Sequence, residues 1–134
     1  MPGKEKPAEH KYLKEMRKRG WWAEHIDCGV DGFPDALAMK NDLSVLVEVK
    51  DGARTRLARN LFEASQPVQF HRLNDAGNTV FLLVAHGDEF KLYGTDVLLL
   101  RLLQDEDILV SELDECASGS IEEIADWLDE WGSV

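Results

Sequence analysis

At 134 residues and 15.2 kDa, the chain has room for one domain with a single sizeable core. Its 44% apolar and 31% charged residues argue against a disordered polymer, and no apolar run approaches the roughly 18 residues needed to span a bilayer. A net charge of −11, evenly spread, would argue against a nucleic-acid partner, but the charge is unevenly placed. Residues 1–72 hold 13 Lys/Arg against 11 Asp/Glu, a net of +2, whereas residues 73–134 hold 2 against 15, a net of −13. The polar start MPGKEKPAEHK lacks the apolar stretch of a signal peptide. Two cysteines, Cys28 and Cys116, make neither a disulfide framework nor a four-ligand zinc site. The expectation is a reduced, cytoplasmic protein with no membrane partner.

Ala8–Arg19 reads as a helix, with Tyr12, Leu13 and Met16 at helical spacing, Pro7 in its first turn and Gly20 as its stop. Trp21–Asp27 reads as a short strand and Cys28–Phe33 as a loop. Pro34–Met39 and Leu43–Lys50 are expected to be strands joined by a turn at Lys40, Asn41 and Asp42. In the second, Val45, Val47 and Val49 alternate onto one face, and Ser44, Leu46, Glu48 and Lys50 onto the other. The polar segment Asp51–Arg59 precedes a helix over Gln66–Ala76, and Val80–Ala85 reads as a central strand covered on both faces. A turn at His86–Asp88 leads into a strand near Phe90–Tyr93, then a buried helix over Asp96–Leu103 with Thr95 as candidate N-cap. Ala117–Ser120 reads as a linker. The last helix, Ile121–Trp131, opens on the capping-box pair Ser120 and Glu123.

The pattern that carries chemistry is Asp35 followed by Glu48-Val49-Lys50. Neighbouring strands lie about 4.8 Å apart, so carboxylates on one face of a hairpin can converge on one cation. Hard oxygen donors suit Mg²⁺ or Mn²⁺, and such an ion can activate water for attack on a phosphodiester. Lys50 shares the face of Glu48 and can neutralise a phosphate oxygen. Taken alone, a strand ending in Glu-x-Lys is commonly a solvated edge. The weight lies in the ensemble of helix, Gly32-Phe33-Pro34-Asp35, valine-rich strand and a helix starting with Gln66.

These motifs resemble the PD-(D/E)xK nuclease superfamily, and within it the VRR-NUC group and the archaeal-type Holliday-junction resolvases. The resemblance spans roughly Glu9 to Val84. It rests on Glu9 eleven residues before Gly20, Gly32–Asp35, Glu48–Lys50 and Gln66 eleven residues before Gly77. It implies a restriction-endonuclease-like α/β core (α-β-β-β-α-β, a mixed sheet flanked by helices) over residues 1–104. Residues 105–134 would be an acidic helical extension, packing on the core or a partner. It also implies that Asp35, Glu48 and the Val49 carbonyl bind Mg²⁺ or Mn²⁺, that Glu9 completes the metal site, often through water, that Lys50 is catalytic, and that Gln66 supports the metal or the lysine. Gln69 competes with Gln66 for that role, and Glu15 is the alternative to Glu9.

Lys11, Arg19, Arg54, Arg56 and Arg59 are the candidates for contacting DNA phosphates; Lys14 and Lys18 read rather as a solvated face. The expected activity is that of a metal-dependent DNA endonuclease, structure-selective and homodimeric, in replication, recombination or repair. The same family is common in phages. A restriction or nicking enzyme of the same fold, or an inactive acidic binding module, are the alternatives. For Trp127 and Trp131 on the last helix, packing on the same chain ranks ahead of a dimer contact, and that ahead of an acidic flap over the basic groove.

Overall fold

Val45, Val47 and Val49 share one face of the longest strand, and what covers that face organises the molecule. The computed structural model describes residues 6–51, 56–57, 62–104 and 107–133. In chain order these form α1 (Pro7–Lys18), β1 (Trp22–His25), β2 (Ala36–Lys40), β3 (Leu43–Asp51), β4 (Arg56–Leu57) and α2 (Gln66–Asp75). There follow β5 (Thr79–His86), β6 (Glu89–Gly94), α3 (Asp96–Leu103), β7 (Ile108–Leu109), β8 (Glu115–Gly119) and α4 (Ile121–Gly132).

Among the described residues the main sheet has six strands in the order β1-β2-β3-β5-β6-β8, and β4 pairs with β7 apart from it. β3 and β5 run parallel, joined through α2, and the other neighbours in the main sheet are antiparallel. The β2–β3 hairpin closes through Asn41 and Asp42, both at positive φ, as a type I′ turn requires.

The sheet separates two apolar cores. Val45, Val47, Val49, Phe81 and Leu83 pack beneath α1 and α4 with Tyr12, Leu13, Ile124 and Leu128. Leu46, Val80, Leu82 and Tyr93 on the opposite face pack beneath α2 and α3 with Phe70, Leu98 and Leu102. Burying each such side chain contributes about 1.5–3 kcal/mol. This is the mixed sheet flanked by helices that the sequence implies, and β5 is covered on both faces as expected.

Two local expectations are corrected. Ala117–Gly119 is not a linker but the end of β8, hydrogen-bonded along the edge of β6. Gly119 then turns into α4 at φ +130, and the Glu123 carboxylate lies 2.6–2.7 Å from where a Cβ would stand. The capping box between Ser120 and Glu123 therefore forms, and it depends on a glycine before it. Thr95 does not cap α3 with its side chain; its hydroxyl donates instead to the Val80 carbonyl at 3.0 Å. That bond satisfies a buried acceptor in the central strand.

Trp127 and Trp131 pack on this chain, each edge-on to Phe81 with ring centroids at 5.7 and 5.6 Å. Among the described residues no helix is long and apolar enough to cross a membrane.

Candidate active site

The β2–β3 ladder ends at Ala36↔Val47, and one residue further the strands open. Asp35 fills the opening. Its Oδ2 accepts the Val49 N–H at 2.9 Å, and its carbonyl accepts the Ile26 N–H at 2.8 Å. Pro34 fixes the approach of the chain to this point.

Glu48 lies on the α2 face of β3 and is 2% exposed. Its Oε2 accepts from Gln66 Nε2 at 2.8 Å and stands 3.0 Å from Lys50 Nζ. Its Oε1 is buried with no hydrogen-bond partner among the described residues. Gln66, the first residue of α2, accepts the Glu63 N–H on Oε1 at 2.9 Å, which aims its amide NH₂ at Glu48. Lys50 Nζ also lies over the Phe62 ring, 4.8 Å from its centroid.

From the other face α1 supplies Glu9 and Lys6. Glu9 is fully buried; its Oε2 meets His25 Nδ1 at 2.8 Å, and its Oε1 accepts the Lys6 backbone N–H at 3.3 Å. The Lys6 ammonium donates to Asp35 Oδ2 at 2.9 Å and to the Val49 carbonyl.

Three carboxylates thus crowd one strand end, and the electrostatics record it. Burial pushes the Glu48 carboxyl above its ordinary value, helped by the charge of Asp35 and opposed by Lys50, Gln66 and Lys6. Burial likewise raises Glu9, against the hydrogen bond from His25. For Lys6, burial works to lower the pKa, but Asp35, Glu48 and Glu9 together hold it above that of an ordinary lysine.

Loop 28–33 is seated on the start of α2. A Cβ on Gly32 would stand 2.6 Å from the Ser65 carbonyl carbon and 2.8 Å from the Gln66 nitrogen, and Gly32 has φ +80. Only glycine fits there, so the approach to Asp35 and the position of Gln66 are set by one contact. The site opens into a cleft of about 540 Å³ lined by His25, Asp31, Phe33, Asp35 and Glu63 among others.

The structure brings Glu9, Asp35, Glu48, Val49, Lys50 and Gln66 to one place. Glu15 is elsewhere, paired with Arg19 and Lys18. Gln66, rather than Gln69, reaches Glu48.

Arg19, expected at DNA phosphates, is engaged within the chain. Its guanidinium binds Glu15 at 2.9 Å, Asp126 at 2.7 Å, Asp129 at 2.9 Å and the Glu122 carbonyl at 3.1 Å. It ties α1 to α4 through four of its five N–H donors. Lys11 makes an exposed pair with Asp88 at 3.0 Å. Arg54 and Arg59 lie outside the described residues, and Arg56 enters as a ladder residue of β4 opposite Leu109.

The sequence reading missed Lys6, His25 and Phe62. Lys6 lay in a charged stretch before the helix, and His25 had no metal-type spacing. Their partners are distant in sequence, 29 residues for Lys6–Asp35 and 16 for His25–Glu9.

Among the described residues no three of His, Cys, Asp and Glu form a metal-binding cluster. The donor set is instead two carboxylates and a carbonyl: Asp35 Oδ2, the unpartnered Glu48 Oε1 and the Val49 oxygen. That set fits a hard divalent cation, and the ammonium already resting on two of its members shows that a positive charge is favoured there. Both Glu9 oxygens are engaged, so Glu9 borders this set rather than joining it.

Sheet order, flanking helices and the opened β2–β3 end define a restriction-endonuclease-like fold. Among solved structures the chain is similar to Hjc, a Holliday junction resolvase from the archaeal hyperthermophile Archaeoglobus fulgidus. The TM-score is 0.57 at 21% sequence identity, over 87% of this chain and 96% of that one. No protein-family model and no curated protein matches the sequence.

Proposed function

We propose that the chain is a Mg²⁺- or Mn²⁺-dependent DNA endonuclease of the PD-(D/E)xK type that acts on branched DNA as a homodimer. The observation that carries this reading is Glu48. A buried carboxylate with one oxygen lacking a partner costs stability, which a structural role does not require. Its unpartnered oxygen belongs to the same donor set as the Val49 carbonyl and Asp35, the member that lines the cleft.

A divalent ion on these donors would supply Lewis-acid stabilisation of the charge that develops on the phosphoryl group. The protein's own groups do the rest. Gln66 locks the rotamer of Glu48. Lys50, held between Glu48 and Phe62, offers an ammonium to a non-bridging phosphate oxygen or to the attacking water. His25 holds Glu9 in place at the inner wall. Lys11 and the arginines of the 54–59 segment remain the proposed phosphate contacts, positioning the duplex without reading its bases. The likeness to Hjc supports a branched substrate, and resolving a two-fold junction calls for two such sites.

The test is cleavage of matched four-way-junction, flap, single-stranded and linear duplex DNA with Mg²⁺, Mn²⁺ or EDTA, using wild type and Glu48→Gln. Paired, symmetric junction cuts that need metal and Glu48 are expected. Cuts confined to linear or flap DNA would keep the nuclease and discard the junction preference. No cleavage of any substrate would leave an acidic binding module.

A further inference from the structure

Lys6 is absent from the motifs that suggest a nuclease, yet its ammonium touches two of the three donors assigned to the metal. It hydrogen-bonds Asp35 Oδ2 at 2.9 Å and the Val49 carbonyl, and it feels the charges of Glu48 and Glu9. Unlike Lys50, it rests on the ligand oxygens themselves.

We propose that Lys6 is a tethered cation that occupies the metal position in the apoprotein and is displaced when the divalent ion binds, so that its side chain gates loading of the site. The proposal rests on the reading of Asp35, Glu48 and Val49 as the metal ligands.

Geometry and charge both require the exchange. Mg²⁺ binds oxygen at about 2.0–2.1 Å, so an ion on Asp35 Oδ2 and the Val49 carbonyl would stand in the space the ammonium fills. Glu9, Asp35 and Glu48 carry three negative charges when ionised, and Lys50 carries one positive. A divalent ion completes neutrality without Lys6. If Lys6 stayed, two cations would share the same oxygens at contact distance.

Departure is easy for the side chain. Lys6 stands at the N-cap position of α1 with extended backbone, and 37% of its side chain is already exposed. A flexible four-carbon stem needs only rotamer changes to carry the ammonium into solvent. The Glu9 carboxylate contacts the backbone N–H of Lys6, so that anchor survives the exchange.

The same contact gives Lys6 a role before the metal arrives. It keeps Asp35 and the Val49 carbonyl aimed at one point and offsets the repulsion among the carboxylates. Removing its charge therefore has two opposite effects, a less stable apoprotein and a tighter metal site.

The experiment is a calorimetric Mn²⁺ titration of full-length wild type, Lys6→Met, Lys6→Arg and Glu48→Gln, with melting curves with and without Mn²⁺. Loss of one charge-assisted competitor should tighten Mn²⁺ binding about tenfold in Lys6→Met. Lys6→Arg, which keeps a cation in place, should bind no tighter than wild type. Mn²⁺ should raise the Tm of Lys6→Met by more than that of wild type. In unmutated protein, Mn²⁺ should also increase acylation of Lys6 by an amine-reactive reagent, read by mass spectrometry, and Glu48→Gln should abolish that increase. Equal Mn²⁺ affinity in wild type and Lys6→Met, with Glu48-dependent binding in both, would overturn the gate and leave the metal site standing. Weaker binding by Lys6→Met, or Lys6 acylation unchanged by bound Mn²⁺, would overturn it equally. Absence of Glu48-dependent Mn²⁺ binding in every form would remove the metal site and the gate together.

Discussion

The two ends of α1 carry the same kinds of residue and treat them oppositely. At the C-terminal end Arg19 faces Glu15, Asp126 and Asp129, and Asp129 also accepts Trp21 Nε1–H at 2.7 Å. The cation there is surrounded by acceptors, and the cluster fastens α1 to α4. At the N-terminal end Glu9, Asp35 and Glu48 converge with too few donors, and a buried oxygen is left over. The first arrangement is what charges look like when they serve stability. The second keeps the Glu9 and Glu48 carboxyls above their ordinary values and its donors aimed at one point, at a cost to stability. Residue type does not distinguish them; the state of satisfaction does.

The sharpest way to break the comparison is Glu48→Gln. Cleavage should fall by about a thousandfold or more, while the metal-free Tm holds or rises, because a buried charge has been removed. A fall in Tm without loss of cleavage would place Glu48 with Arg19 as a structural residue.

Gly32→Ala comes next, since it forces both a backbone contact and a left-handed φ. Stability should drop by about 2–3 kcal/mol, read by urea unfolding, with cleavage lost in the folded fraction as the loop lifts from Gln66. Arg19→Ala should cost about 1–2 kcal/mol after allowance for screening at this partly exposed cluster, and metal-dependent cleavage should remain within about threefold of wild type. Loss of cleavage in a folded Arg19→Ala protein would return that side chain to the DNA surface.

The smallest expected effect is in pH. Burial works to raise the Asp129 carboxyl, but hydrogen bonds from Trp21 and Arg19 outweigh it and hold the group below its ordinary value of 3.8. A depressed carboxyl contributes stability above its unfolded pKa and loses it as pH falls through the folded one. Melting curves between about pH 2 and 6 should therefore show a loss below roughly pH 4 that is shallower in Asp129→Asn. An identical acid limb in the variant would take Asp129 out of the clamp.

What the sequence disclosed and what it hid follow the range of the interactions. The valine alternation of β3, the turn at Asn41–Asp42, the Ser120 cap and the bounds of α3 rest on patterns a few residues long, and all are found as expected. The convergence of Asp35, Glu48 and Lys50 was legible from strand pairing, whereas Glu9 and Gln66 were legible only through the family resemblance. β8 was not, because Ala117-Ser118-Gly119 has no β-forming side chain and becomes a strand only by lying along β6. Nor was the role of Arg19, whose acidic partners on α4 lie more than a hundred residues away. Lys6 escaped for the same reason: a lysine in a charged stretch gains meaning only from the carboxylate across the sheet.

The clamp at Arg19 has one more effect. It fixes Asp126 and Asp129 of the strongly acidic α4 against the C-terminal end of α1, the end opposite Glu9. In about 0.15 M salt the screening length is about 8 Å, so the acid face acts only on charges close to it. At about 0.01 M it stretches to roughly 30 Å, and the whole molecule then presents its net negative charge to an approaching polyanion. Dilution of salt, which tightens the grip of most basic proteins on DNA, would be opposed here by that negative charge if DNA is the substrate proposed above. The DNA binding proposed above would then have a window of ionic strength narrowed from below as well as from above.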